Sequence, residues 1–234
     1  VPFAHEPAVQ REHLHAMVLA VADNHVLVVE DRDVVRQAEL ARVLAAKDFS
    51  EEQLKQTFSK LWSLQERMDL VRRNTYFKSG KVVTDVQALL ADGDETDMPQ
   101  RINRFIETAI MHGYRPLKGQ DRTLPAQLAS VLLSARYPDR FVDFKKQRWN
   151  TFYKEILGNN DLPFRGQEFG TLIVRAGSLA AQIAKTPTYK QYFGTDPNLW
   201  KVAGLAYVFK DGPIKQINEK RIDPPPRRQH LLPP

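Results

Sequence analysis

The 234 residues predict an all-α fold, an irregular multi-helix bundle with room for a division into two packed helical lobes. Three observations carry that expectation. Apolar residues recur at spacings of three and four along most of the chain, the period of helices with one buried face. Clean period-two alternation is absent apart from a weak Val26–Val29 stretch. Gly113, Pro138, Gly158 and Pro187 stand at the ends of periodic runs, and six prolines crowd the twenty-two residues after Gly212. No compact core accepts that last composition, so residues 213–234 read as a Pro-rich basic tail or linker.

Taken in order, a first helix is expected from Arg11 to Ala22 on the spacing of Leu14, Met17, Val18, Val21 and Ala22. Asp33 is placed to cap a second, whose apolar face holds Val34, Val35, Ala38, Leu40, Ala41, Val43 and Leu44. Ser50-Glu51-Glu52-Gln53 has the form of a capping box. The helix it opens carries Leu54, Phe58, Leu61, Trp62, Leu64 and Met68 on one stripe. Ser79-Gly80 breaks the pattern, and Val82–Val86 has strand composition although Asp85–Leu90 reads better as a short helix. The acidic run 92–97 is turn-rich and marks the boundary between a lobe at 1–91 and a region at 97–212.

Asp97 and Pro99 then signal a helix start, with Ile102, Phe105, Ile106, Ala109 and Ile110 inside it and a stop at Gly113. Thr123 and Pro125 open an apolar helix holding Leu124, Leu128, Val131, Leu132 and Leu133, which ends before Tyr137-Pro138. A helix around Arg148–Tyr153 stops at Gly158, and another spans Gln167 to Lys185 with Pro187 just beyond. Asp196-Pro197 begins the last, through Leu199, Trp200, Val202, Leu205, Ala206 and Phe209.

Composition excludes several function classes. There is no cysteine, so no disulfide, thiol nucleophile or thiolate metal site exists within these residues. No apolar run approaches the ~18 residues of a membrane span, and Val1-Pro2-Phe3-Ala4-His5 has neither region of a secretory signal; a cytoplasmic, membrane-free protein is expected. His13 and His15 stand two apart and point to different faces of a helix, unlike metal ligands at i and i+4. Ser79-Gly80-Lys81 lacks both the earlier glycine and the following hydroxyl of a phosphate-binding loop. No G-x-S-x-G nucleophile turn occurs, and Gln53-Leu54-Lys55, which has the letters of a nuclease Q-x-K, lies inside the capped helix. No catalytic residue and no cofactor is expected in this chain alone.

The charge is uneven. Formal net charge is +6 and the isoelectric point is about 9.5. Residues 1–66 hold 7 basic and 11 acidic side chains, whereas 101–165 hold 12 basic and 6 acidic. Two basic segments also carry rings: Arg72-Arg73-Asn74-Thr75-Tyr76-Phe77-Lys78-Ser79-Gly80-Lys81, and Phe141-Val142-Asp143-Phe144-Lys145-Lys146-Gln147-Arg148-Trp149. Clustered Lys and Arg neutralise a phosphate backbone while aromatic rings stack on unpaired bases. The candidate nucleic-acid contacts are therefore Arg72, Arg73, Lys78, Lys81, Lys145, Lys146 and Arg148. Phe141, Phe144, Trp149 and Phe152 fit core anchors at helical spacing better than stacking platforms.

The apolar helix from Leu124, then Tyr137-Pro138-Asp139-Arg140-Phe141-Val142-Asp143-Phe144 and Arg148-Trp149-Asn150-Thr151-Phe152, with Leu199-Trp200-Lys201-Val202-Ala203-Gly204 later on, resembles a known arrangement. It is similar to the helical region ahead of the AAA+ GTPase module in McrB-like proteins of modification-dependent restriction systems. The resemblance spans roughly residues 97–210 and rests on packing motifs. It implies a non-catalytic adaptor or DNA-contacting region of a restriction or antiviral defence complex, with other subunits as partners and a GTP-binding loop beyond Pro234. Two other classes stand beside it: a protein–protein assembly module without DNA binding, and a helical DNA glycosylase-like enzyme. The latter needs two closely placed hairpin glycines, which Gly113 and Gly119 are not, and a catalytic Asp, for which Asp121 is badly placed.

Overall fold

The capping box forms as its spelling requires. Gln53 N–H donates to Ser50 Oγ at 3.1 Å, and Ser50 N–H donates back to Gln53 Oε1 at 2.7 Å. In a computed structural model the described residues are 31–46, 48–61, 75–91, 94–114, 122–157, 168–195 and 198–211. They make nine α-helices and no strand: α1 (Asp31–Ala45), α2 (Glu51–Leu61), α3 (Val82–Leu90), α4 (Met98–Met111), α5 (Thr123–Arg136), α6 (Lys146–Leu157), α7 (Phe169–Lys185), α8 (Pro187–Phe193) and α9 (Trp200–Asp211). Two 3-10 turns, Thr75–Lys78 and Glu95–Asp97, precede α3 and α4. The expected helix at 11–22, the Val26–Val29 stretch, the stripe beyond Leu61, Arg72, Arg73 and the Pro-rich tail lie outside the described residues.

The centre of the molecule is α5. Every residue from Pro125 to Ala135 is buried, so this helix has no wet face. It packs against α1, α3, α4 and α7. Burial on all sides obliges its polar groups to find partners. Ser130 Oγ donates to Gln127 O at 2.8 Å and accepts from Phe144 N–H at 3.0 Å. Ser134 Oγ donates to Val131 O at 2.9 Å, while Ser134 O accepts from Gln37 Nε2 of α1 at 2.8 Å. Gln37 Oε1 in turn accepts from Asn198 Nδ2 at 3.0 Å, tying α1 to the entry of α9 across 161 residues of chain.

Helices on both sides of the 92–97 run share one apolar cluster reaching from Leu40 to Ala206. α3 packs on α4 and α5, and Tyr137 Oη donates to Leu90 O at 3.4 Å. The second long contact joins α4 and α7. Gly170 makes it possible, because a Cβ there would meet the Pro99 carbonyl far inside contact distance; a Cβ on Gly177 would meet the Arg140 carbonyl of the turn after α5 just as closely. The N-terminus of α7 is completed from α4, where Asn103 Oδ1 accepts from Gly170 N–H at 2.9 Å and its amide donates to Glu168.

Several boundaries differ from the sequence expectation. Val82–Val86 is helical, not extended, because Val82, Asp85, Val86 and Leu89 lie on one buried face. Burial there outweighs the weak helix propensity of three valines and a threonine. Asp97 makes no side-chain cap, since φ −86° and ψ −6° hold it in the helical region instead of the extended one that capping needs. Thr123 is likewise the first helical residue and not the cap, and α1 begins at Asp31, two residues before Asp33. Pro187 does not merely follow a helix: it sits in the first turn of α8, capped by Thr186 Oγ1 accepting from Tyr189 N–H at 3.3 Å.

Candidate nucleic-acid interface

The first basic segment is a turn bolted down by its aromatics. Tyr76 and Phe77 are 0% and 1% exposed, and their rings pack edge-on at 5.4 Å. Tyr114 from the end of α4 lies 5.6 Å from the Tyr76 ring, and Phe58 of α2 lies 6.1 Å from Phe77. These rings are core anchors and offer no stacking platform. Lys78 and Lys81 are exposed on the same turn. Their backbone is fixed: Ser79 N–H and Oγ both bond to Tyr76 O, at 3.0 and 2.6 Å, and Lys81 N–H donates to Ser79 Oγ at 3.1 Å. Gly80 closes the turn at φ +69°, a conformation costly for any other residue.

Behind the turn sits an arrangement that local sequence spacing did not reveal. Asp85 on α3 is 6% exposed, and its Oδ2 lies 2.8 Å from Nδ1 of His112 at the end of α4. Thr75 Oγ1 donates to Gly113 O at 2.6 Å, so the end of α4 is fastened to the turn at a second point. Burial, then the adjacent Asp85 carboxylate, pushes the Tyr76 phenol well above its ordinary 10.0. A raised value means that the folded state favours the neutral phenol. The resulting stability is complete below the unfolded value near 10 and is lost as pH rises past it. Urea unfolding from pH 8 to 11 should therefore show wild type losing stability above pH ~10 faster than Tyr76→Phe. Parallel curves for the two proteins would contradict this placement of the phenol.

The second segment divides in the same way. Phe141, Phe144, Trp149 and Phe152 are 3%, 2%, 0% and 0% exposed. Trp149 Nε1 donates to Asp143 O at 3.0 Å, and its ring meets Phe152 edge-on at 5.6 Å. Lys145 and Lys146 are half-buried at the start of α6, with Lys146 Nζ 5.8 Å from the centre of the Phe169 ring. Arg148 turns inward. Its side chain is 11% exposed, and Nη1 faces Asp143 Oδ2 at 3.8 Å, while Gln127 Nε2 donates to the other Asp143 oxygen at 3.4 Å.

Of the seven candidate contacts, Lys78 and Lys81 thus share one surface turn, Lys145 and Lys146 share one helix start, and Arg148 is directed onto a carboxylate of its own segment. Arg72 and Arg73 lie outside the described residues. Two further cations escaped the sequence reading: Arg136 and Arg140 flank Tyr137, their guanidinium carbons 5.1 and 5.5 Å from the ring centre. Their signal, Arg-Tyr-Pro-Asp-Arg, is present in the sequence but reads as a packing motif. Among the described residues no group of three or more His, Asp or Glu side chains is placed to hold a metal ion, and no helix is long and apolar enough to cross a membrane. No protein-family model, curated protein or solved structure matches the chain.

Proposed function

We propose that this chain is a non-catalytic helical region that contacts nucleic-acid phosphates, of the kind found ahead of the GTPase module in McrB-like restriction proteins. The observation that supports it most is the Lys78–Lys81 turn: two exposed ammonium groups on a backbone held by Ser79 and anchored by buried Tyr76 and Phe77. A rigid mount lowers the ordering cost of each phosphate contact. Lys145 and Lys146 supply a second pair of cations, and Arg148, held on Asp143, orders the segment that carries them. On this reading the partners are DNA and the other subunits of a defence complex, and the protein works in the cytoplasm.

Phosphate contact makes affinity fall steeply with salt. Mobility shifts on duplex and single-stranded DNA at low and moderate salt are the direct check. The variant Lys78→Gln/Lys81→Gln/Lys145→Gln/Lys146→Gln should flatten the slope of log affinity against log salt by about three on a single strand, at roughly 0.7 per lost contact. Absence of any shift at micromolar protein would remove the reading. Association that ignores salt, with oligomers in light scattering, would favour an assembly module instead.

A further inference from the structure

His112 closes α4 on a backbone with little freedom. Its N–H donates to Thr108 O at 2.9 Å, and the N–H groups of Gly113 and Tyr114 donate to Ile110 O and Ala109 O at 3.0 and 2.8 Å. The chain turns at Gly113 with φ +98°, and the Gly113 carbonyl accepts from Thr75 Oγ1. The imidazole is held as well as its backbone, because Nδ1 lies 2.8 Å from Asp85 Oδ2. Asp85 is buried, and the Tyr76 phenol adjoins the same carboxylate.

This pairing decides which ring nitrogen carries the proton. A carboxyl group is the stronger acid of the two, so the shared proton stays on the ring. An ionised carboxylate only accepts, which makes Nδ1 the donor and leaves a lone pair on Nε2 of the neutral imidazole. The His112 side chain is 30% exposed, and Met111 before it is 75% exposed. Nε2 has no hydrogen-bond partner among the described residues. Asp85 also stabilises the positive charge that grows on the ring when Nε2 attacks an electrophile.

A metal site would need several ligands to converge, and among the described residues no group of three or more His, Asp or Glu side chains does so. Bond formation at Nε2 needs only that atom and access to it. The surroundings select the class of electrophile. Lys81 O accepts from Asp85 N–H at 3.0 Å, and Lys78 and Lys81 are exposed on the turn so fastened. Their charge favours the approach of an anionic donor. Imidazole in water also keeps a phosphoryl group far longer than an acyl group.

We propose that His112 Nε2 is a phosphoryl-accepting nucleophile, positioned by Asp85 and served by anionic donors of the phosphoramidate class. Nε2 forms the new bond to phosphorus, the donor's phosphorus–nitrogen bond breaks, and the amine leaves with that electron pair. Nδ1–H remains on the ring, which becomes cationic opposite Asp85. Nucleic-acid contact is not required, so this site stands or falls apart from the lysine reading.

The test is incubation of the full chain with potassium phosphoramidate. Peptide mass spectrometry locates the label, and phosphorus NMR identifies the isomer. Label should reach His112 at Nε2, and His112→Gln separates it from label on the chain's other histidines. Asp85→Asn should slow labelling of His112 about tenfold, the lower end of the usual cost of losing the group behind a ligating histidine. Circular dichroism melting shows whether each variant is folded. Since Asp85→Asn alters a buried group and can unfold the chain, the tautomer is also read in wild type. A long-range proton–nitrogen correlation spectrum should show neutral His112 protonated at Nδ1 and bare at Nε2. The opposite tautomer, label on Nδ1, or a folded Asp85→Asn that labels at the wild-type rate would each overturn the proposal. So would an unlabelled His112 under conditions that label N-acetylhistidine.

Discussion

Gly177→Ala should destabilise the protein by about 3 kcal/mol, the upper part of the usual range for overpacking a filled core. The sign is not self-evident, because alanine in a helix interior is worth about 1 kcal/mol more than glycine. Geometry decides it. The added Cβ meets the Arg140 carbonyl, which is backbone, and that carbonyl belongs to a turn already held by Tyr137 O and Leu199 N–H. Neither partner can swing aside as a flexible side chain would. Relief requires α7 to withdraw, and Ile173, Ala176, Ala180 and Ile183, all at 0% exposure, withdraw with it. Gly170→Ala meets the Pro99 carbonyl in the same way and should cost a similar amount. Domains of this class hold roughly 5–15 kcal/mol in total, so the double variant, losing about 6 kcal/mol, should forfeit between about two-fifths of that total and all of it. Urea midpoints followed by circular dichroism measure both. A single variant with a raised midpoint would mean that helix propensity prevails and that α7 does not approach these carbonyls so closely.

Trp149→Ala should cost about 3–5 kcal/mol, the range for removing a large buried aromatic. Trp149 is at 0% exposure, its ring packs on Phe152, and its indole N–H is the donor for Asp143 O. Trp149→Phe retains much of the volume and loses the hydrogen bond, so a smaller loss of about 1–2 kcal/mol is expected. The pair of variants also tests function. A tryptophan that stacked on bases would lower affinity for single-stranded DNA by roughly 1–3 kcal/mol when replaced. A core tryptophan leaves affinity unchanged at a temperature where the variant is folded. Melting curves, together with oligonucleotide anisotropy at low temperature, read the two quantities separately. An affinity loss with an unchanged melting point would place Trp149 at the interface.

What the sequence made legible was local or periodic. Ser50 and Gln53 are three residues apart and cap each other whatever else the chain does. The central helix announced itself through Leu124, Leu128, Val131, Leu132 and Leu133, whereas the burial of Gln127, Ser130 and Ser134 on it did not show in the sequence. Phe141, Phe144, Trp149 and Phe152 were legible as anchors through their helical spacing, whereas the adjacent pair Tyr76 and Phe77 carried no such period.

The illegible part depended on direction and on distance along the chain. Counting charges places Arg148 beside Lys145 and Lys146, yet in the fold its guanidinium faces Asp143. Asp85 and His112 are 27 residues apart, and nothing in either neighbourhood names the other. The helix at Val82 looked ambiguous because β-branched residues suit both states, and tertiary burial, which propensity does not contain, settled it. Pro187 was read as punctuation after α7 because a seven-residue helix is too short to show a period.

The enclosure of α5 bears on how such a protein can change over generations. Every position from Pro125 to Ala135 faces a neighbour, so a substitution there must be accommodated by a second one elsewhere. The turn at Lys78–Lys81 carries exposed side chains on a backbone that the core already fixes, so its charges can be exchanged one at a time without disturbing α5. Adaptation to a new partner therefore has its raw material in that turn, while the middle helix serves as the part that inheritance keeps still.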